Sequence, residues 1–416
     1  MRERAGYWSV GVTFVTLALA YGVWYSYSLF FVALLHEFGW SRSLLAGAFS
    51  VFALAHGCLS PALGWLSDRV GPRRLVVAGG LIFGLALVAD GAISRPWHLY
   101  LTFGILTAVG AAAAGWVPAV VLVQRWFPER PGFTFGIASS GIGVGIFLVV
   151  PLCQVLIEWL GWRWAFRTVG GLALLWVIPA TLALVRDPPT GRATATPSGG
   201  DDSSPWAASL ATAAGSAGPR ERTLQAAART LPFWLFAGAL FLGSFCTQTL
   251  LIHQAAYLVD HEIPALMAAL VVSVVGLSSI VSKTGGGWLS DRLPREVVYT
   301  LGMGCVVSSV GALGLIAIAP VAILAYAYGV LVGLGYPVTA SLMPAVVGDH
   351  FRGRHFGSIF GTLQLFSALG GSAGPWVAGR LFDLTGSYRA AFLAAVCAAV
   401  AATVALWLAR RRPCPW

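Results

Sequence analysis

Six residues, Gly64-Trp65-Leu66-Ser67-Asp68-Arg69, return unchanged 223 positions later as Gly287-Trp288-Leu289-Ser290-Asp291-Arg292. Each copy closes a long apolar run. Two further pairs keep nearly the same spacing: Trp162-Arg163-Trp164-Ala165-Phe166 with Tyr388-Arg389-Ala390-Ala391-Phe392 at 226, and Arg130 and Pro151 with Arg354 and Pro375 at 224. A long hydrophobic chain that repeats at one offset is built as two parallel halves, related by an axis along the membrane normal.

Spanning segments need about 20 apolar residues, and twelve satisfy this, near 8–35, 43–66, 74–94, 98–124, 131–157, 164–185, 231–258, 264–290, 297–318, 321–347, 355–381 and 388–409. The expected fold is therefore an all-α membrane protein of twelve transmembrane helices in two six-helix halves, 1–186 and 231–416. A mean hydropathy of +0.79, with 57% hydrophobic and 10% charged residues, excludes a water-soluble globule. Arg2, Arg4 and the Ala18-Leu19-Ala20 string imitate a signal peptide, but the run continues to Leu35 and reads as a retained first helix. Between the halves, 187–230 holds Pro188, Pro189, Pro197, Gly199, Gly200, Asp201, Asp202 and Pro205, a composition expected to stay mostly disordered, with a short surface helix over 220–230.

Charge sets the orientation. Nineteen arginines fall on the side of the termini and six on the other, so the positive-inside rule places both termini and the linker in the cytoplasm of a multi-pass inner-membrane protein. The net charge of +10 then follows from topology, and no nucleic-acid partner is implied. Cys58, Cys153, Cys246, Cys305, Cys397 and Cys414 are scattered without a CxxC or a nearby His, which argues against a disulfide framework or a metal site. No cofactor is expected. Paired carboxylates, a nucleophile elbow and a metal cluster are missing at membrane depth, so the chain does not read as an enzyme.

The chain has a single lysine, Lys283, inside the eighth apolar segment. An ammonium centred in hydrocarbon costs about 2.5–3.5 kcal/mol on insertion scales and normally faces a bundle interior or a wet cleft. Gly276, Ser279, Lys283 and Gly287 recur at helical spacing, so the lysine lies on a stripe of small and polar side chains. Two readings follow: a cation waiting for an anion, or a lysine that snorkels to the nearer membrane face, roughly 9 Å away at 1.5 Å per residue.

The loop after the second segment, Gly64 to Arg74 with Asp68, Arg69 and Arg73, resembles the G-x-L-(A/S)-D-R-x-G-R-(R/K) signature of the major facilitator superfamily. That resemblance implies a gating role for Asp68, Arg69 and Arg73, and for Asp291 and Arg292 in the repeat, through a carboxylate and guanidiniums at a helix boundary. Trp126-Phe127-Pro128-Glu129-Arg130-Pro131-Gly132, followed by Gly136, Ala138, Ser140, Gly141 and Gly145, is similar to the fifth-helix motif of the monocarboxylate-porter branch and its prokaryotic oxalate and lactate transporter relatives. So are Tyr21 to Ser26, Phe38 to Arg42, His253 through Tyr257 to Asp260, and the run from Arg354 to Tyr388. The spaced glycines read as packing positions. The branch's animal members carry an Asp and an Arg four residues apart in the eighth span; Ser279 and Lys283 stand there. The cation is kept in kind and the carboxylate is not.

Transporters of this build bind substrate near mid-membrane between their halves. At comparable depth stand Tyr21, Tyr25, Trp116, Gln248, Tyr336 and Gln364, which with Ser279 and Lys283 form the candidate substrate site. His253, nearer the outer face, is the candidate proton-coupling residue. Asp90, at the outer end of the third segment, reads as a solvated rim carboxylate. The resemblance implies a secondary transporter for small lactate- or pyruvate-like monocarboxylates, working by alternating access as proton symport or anion exchange. The partners would be the carboxylate, protons and membrane lipids. The rivals are efflux of drugs or other amphipathic compounds, and a non-transporting membrane sensor on a transporter fold. Against efflux stands the lack of an arginine between Phe103 and Val123.

Overall fold

A computed structural model describes residues 2–126, 131–186, 224–290, 292–351 and 356–411. Twelve helical rods run through them. In the first half these are α1 (Arg2–Phe38), α2 (Arg42–Val70), α3 (Pro72–Asp90), the composite α4 (Pro96–Leu99, Tyr100–Thr107, Ala108–Ala114 and Trp116–Trp126), α5 (Pro131–Leu160) and α6 (Trp162–Leu184). In the second half α7 (Leu231–Asp260), α8 (Ala265–Ser290), α9 (Arg295–Ile316), the broken α10 (Ala322–Gly335 and Pro337–His350), α11 (Phe356–Thr385) and α12 (Arg389–Arg410) follow. Twelve crossings leave the described chain ends on one face of the bundle, called here the terminal side; the opposite face is the distal side.

Apolar length makes these rods, because hydrocarbon leaves backbone N–H and C=O groups no partner except their own helix. Local chemistry stops them. Ser41 caps α2 by accepting a hydrogen bond from the Leu44 N–H at 3.2 Å. Gly71, at φ 92°, turns α2 directly into Pro72, the first residue of α3, which no side-chain-bearing residue would do without strain. Eleven of the described helices are long and apolar enough to span a membrane. The twelfth, α11, is as long as α5 but carries Gln364, Ser367, Arg380 and Asp383, which lower its hydropathy; it packs against α2 and α7. Of the linker, the described part holds a short helix, Leu224–Ala228, whose Ala227 is buried in the core of the second half.

Both halves use the same close approach. A Cβ on Gly145 would lie 2.0 Å from the Ala18 carbonyl oxygen of α1, and one on Gly370 would lie 2.0 Å from the Phe241 carbonyl oxygen of α7. Gly141 and Gly145 of the fifth-helix motif are thus packing residues, and α11 repeats their role against α7. Gly145→Ala is expected to lower stability by about 1–3 kcal/mol, since backbone rather than a flexible side chain must yield. A fall in the midpoint of thermal unfolding in detergent would register it, and an unchanged midpoint would show that the two helices slide apart without cost.

Both halves also break the same rod. In α4 a π-helical stretch, Tyr100–Thr107, is followed by a stop at Gly115, where a Cβ would meet the Ala111 carbonyl oxygen at 2.4 Å. In α10 the stop falls between Tyr336 and Pro337, whose missing N–H ends the first segment. The broken rods carry two of the candidate site residues at their breaks, Trp116 and Tyr336.

Candidate functional site

Between the halves, α5 meets α8 through glycine. A Cβ on Gly143 would lie 2.3 Å from Ile280, and one on Gly276 would lie 2.6 Å from Ile146. One turn further along α8 the Ser282 hydroxyl donates to the Leu334 carbonyl of α10 at 2.6 Å. That bond draws the turn bearing Lys283 alongside the α10 break at Tyr336–Pro337. Lys283 is half-buried there and has no hydrogen bond or ion pair among the described residues. Ser279, on the same stripe, is fully buried and spends its hydroxyl on the Gly276 carbonyl of its own helix.

Tyr336 also reaches across the halves. Its ring lies 6.0 Å from that of Tyr25 on α1, and its hydroxyl oxygen is buried without a hydrogen-bond partner. A buried phenol left without a partner costs on the order of 1–3 kcal/mol, a cost that an anionic acceptor would remove. Tyr21 stacks on Trp24 at 5.7 Å, and Trp24 in turn meets Phe52 and His56 of α2 edge-on at 4.8 and 5.0 Å. Trp24, although inside the Tyr21–Ser26 motif, and His56 were not among the candidate site residues; the signal for His56 was an imidazole in the middle of an apolar helix. The remaining candidates stand on other walls. Gln248 on α7 lies against Gly371 of α11, Gln364 is exposed on α11, and Trp116 is 38% exposed where α4 resumes.

On the terminal side, the guanidinium of Arg69 stacks on Trp65 at 4.0 Å and that of Arg292 stacks on Trp288 at 3.8 Å, so the repeated motif makes the same cation–π pair twice. Arg73 donates from Nη2 to the Leu182 carbonyl at 2.6 Å and thereby holds the last turn of α6. Asp291 and the Asp68 side chain lie outside the described residues.

The distal side is clasped shut by residues of both halves. Asp383, at the end of α11, accepts the backbone N–H groups of Arg42 and Ser43 at 2.9 Å each, so the amino terminus of α2 is capped by a carboxylate from the other half. The Arg42 side chain pairs with Asp260 at the end of α7 at 2.8 Å, donates from Nη1 to the Tyr388 hydroxyl at 2.7 Å, and lies 3.9 Å above the Phe382 ring. The Tyr388 phenol serves as a neutral hydroxyl, able to accept and to donate at once. His253 completes the clasp at 0% exposure, with Nδ1 2.9 Å from the Tyr388 oxygen and Nε2 2.8 Å from the Pro375 carbonyl. Deeper in, Ser50 of α2 donates to the Ser372 carbonyl of α11 at 2.5 Å.

The rim reading of Asp90 does not hold. It is fully buried, because the first turns of α4 fold over the distal end of α3; Thr107 donates to its Oδ2 at 3.1 Å and Oδ1 has no partner.

Comparison with known proteins bears on the family and the fold. The model of the Major Facilitator Superfamily matches residues 13–327 and 287–416. Monocarboxylate transporter 13 of Rattus norvegicus is 30% identical over 397 residues, with 94% of this chain and 85% of that protein aligned. Monocarboxylate transporter 3 of the same organism is 29% identical, over 94% of this chain and 76% of its own length. Among solved structures, a bacterial homolog of the human lysosomal transporter Spinster, in its inward-facing and occupied conformation, superposes with a TM-score of 0.71 at 16% identity, covering 97% of this chain and 96% of that one.

Proposed function

The chain belongs to the major facilitator superfamily, and on that premise we propose that it carries a small organic monocarboxylate across the cell's inner membrane by alternating access, with both termini and the 187–230 linker on the cytoplasmic side. It resembles the monocarboxylate-transporter branch, and it is a transporter, not an enzyme. The observation that carries the substrate class is Lys283: the sole lysine, half-buried beside the break of α10 and without a described partner. A carboxylate beside it removes an uncompensated charge from the bundle, and lysine and acid then neutralise each other through the cycle.

The Tyr336 hydroxyl, buried and unpartnered at the same level, is the natural second donor to such an acid. Tyr25 and the Tyr21–Trp24 stack supply an apolar wall on the opposite half. In this reading the clasped distal side belongs to the state that faces the cytoplasm. Rocking of the halves would break the clasp and bring the Asp68 and Asp291 loops into play as the opposite gate.

The test is uptake of radiolabelled lactate, pyruvate and a longer branched or aromatic monocarboxylate into proteoliposomes, with and without an inward proton gradient and with unlabelled acid preloaded inside. Saturable uptake of at least one acid is the expected result. Stimulation by the gradient assigns proton symport, and stimulation by preloaded acid assigns exchange. If none of these acids moves, the substrate class is wrong.

A further inference from the structure

The hydrogen-bond directions in the distal clasp fix the state of His253. Arg42 can only donate, so the Tyr388 oxygen accepts from its Nη1, and the single phenolic proton is left for His253 Nδ1. The Pro375 carbonyl can only accept, so His253 donates to it from Nε2–H. The clasp closes on a neutral imidazole of one tautomer. A proton added at Nδ1 turns that nitrogen into a donor. Two cations then point donors at one phenolic oxygen, and the Tyr388 proton is left in a buried site without an acceptor.

The groups that face the ring come from every element around it. Arg42 comes from α2, and the Pro375 carbonyl and Asp383 from α11. Tyr388 precedes α12, and Tyr257 and Asp260 lie further along α7; α1 offers only the edge of Phe31 at 5.3 Å. Asp383 accepts two backbone N–H groups and Asp260 accepts Arg42, and in this closed arrangement neither carboxylate accepts a hydrogen bond from the Tyr388 hydroxyl.

We propose that His253 is a proton-binding site read by the distal gate: the neutral ring holds the gate shut, and a proton arriving from the distal side releases it. The inference rests on the alternating-access reading above. Because the ring is fully buried while the clasp is closed, the proton leaves by the side it entered when the gate shuts. His253 therefore sets how often the carrier opens to the distal compartment as that compartment acidifies, without itself carrying a proton across. This separates gate control from the coupling ion.

The experiment is a distance measurement between nitroxide labels at Ser94→Cys in the first half and Ala319→Cys in the second, both exposed on distal loops, with the six native cysteines replaced and the full chain in lipid nanodiscs. No substrate is needed, so failure of the carboxylate assignment in the uptake assay leaves this result intact, and the reverse also holds. From pH 7.5 to pH 5, the distal-open population of the otherwise native protein is expected to rise roughly five- to tenfold. His253→Gln, whose amide can both accept from Tyr388 and donate to Pro375, should stay closed at both pH values. Tyr388→Phe, which removes the contested oxygen, should lose the pH response while remaining folded. A pH response that persists in His253→Gln, or one that is missing from the otherwise native protein, overturns the proposal. So does a full response in Tyr388→Phe, which also decides the matter if the glutamine variant does not fold.

Discussion

Lys283→Gln is expected to reduce uptake of the transported acid by about 10- to 150-fold, the worth of one charge-assisted hydrogen bond of roughly 1.5–3 kcal/mol in a partly desolvated cleft. Glutamine keeps a donor, one bond nearer the backbone, and removes the charge, so the loss measures chiefly the ammonium. Lys283→Arg, which keeps the charge in a broader, planar fork, is expected to retain a measurable fraction of transport with a changed preference among acids. Tyr336→Phe, which removes the orphaned hydroxyl and leaves the ring against Tyr25, should raise the apparent KM several-fold and leave the maximal rate nearly unchanged. Initial rates over a range of acid concentrations separate these results. If Lys283→Gln transports as well as the native protein, the lysine snorkels to the membrane face and the anion is held elsewhere.

Much of this architecture was legible because membrane folds are constrained by few rules. The repeat of Gly64–Arg69 at Gly287–Arg292 announced two halves, and the structure returns it as two equivalent cation–π pairs, Arg69 on Trp65 and Arg292 on Trp288. The glycine spacing of α5 announced close helix packing, and Gly141 and Gly145 press on the backbone of α1. Tyr25 and Tyr336 were chosen from depth alone and lie ring to ring, since depth along two helices is readable when both must cross the same thickness. Less was legible where rotation about a helix axis decides the outcome. Asp90 has the right depth for a rim position, but α4 folds over it, and nothing in the local sequence shows which face α4 covers. The breaks in α4 and α10 were hidden for another reason: an apolar run interrupted by Gly115 or Pro337 still reads as one span. The clasp was visible only in pieces. Phe38 to Arg42, His253 to Asp260 and Phe382 to Tyr388 each stood out as a motif, and only the fold brings Arg42, Asp260, Asp383, Tyr388 and His253 to one point.

That convergence makes the clasp the place where a single substitution should move the whole transport cycle. Arg42→Gln removes the Asp260 ion pair, the bond to Tyr388 and the stacking on Phe382 together, while the backbone contacts to Asp383 survive. Truncating one member of a buried pair costs about 3–5 kcal/mol. Asp260 is 32% exposed, so solvent screens that pair and the loss is nearer to about 2–3 kcal/mol. At 1.4 kcal/mol per decade this is a shift of roughly 30- to 150-fold in the balance between distal-closed and distal-open states. Asp383→Asn acts on a different part of the same clasp: it keeps an acceptor for one N–H of α2 but loses the charge at that helix's amino terminus, so a smaller shift in the same direction is expected. The labels at positions 94 and 319 report both shifts directly. Net uptake should fall with Arg42→Gln even though its central site is intact, because a carrier that cannot close its distal side cannot deliver acid to the other. Acid binding measured without transport should stay within a few-fold of native. If Arg42→Gln leaves the distance distribution unchanged, the clasp is ornamental and the packing of α11 at Gly379 on the α2 backbone of Arg42 and Ser43 holds the distal side shut unaided.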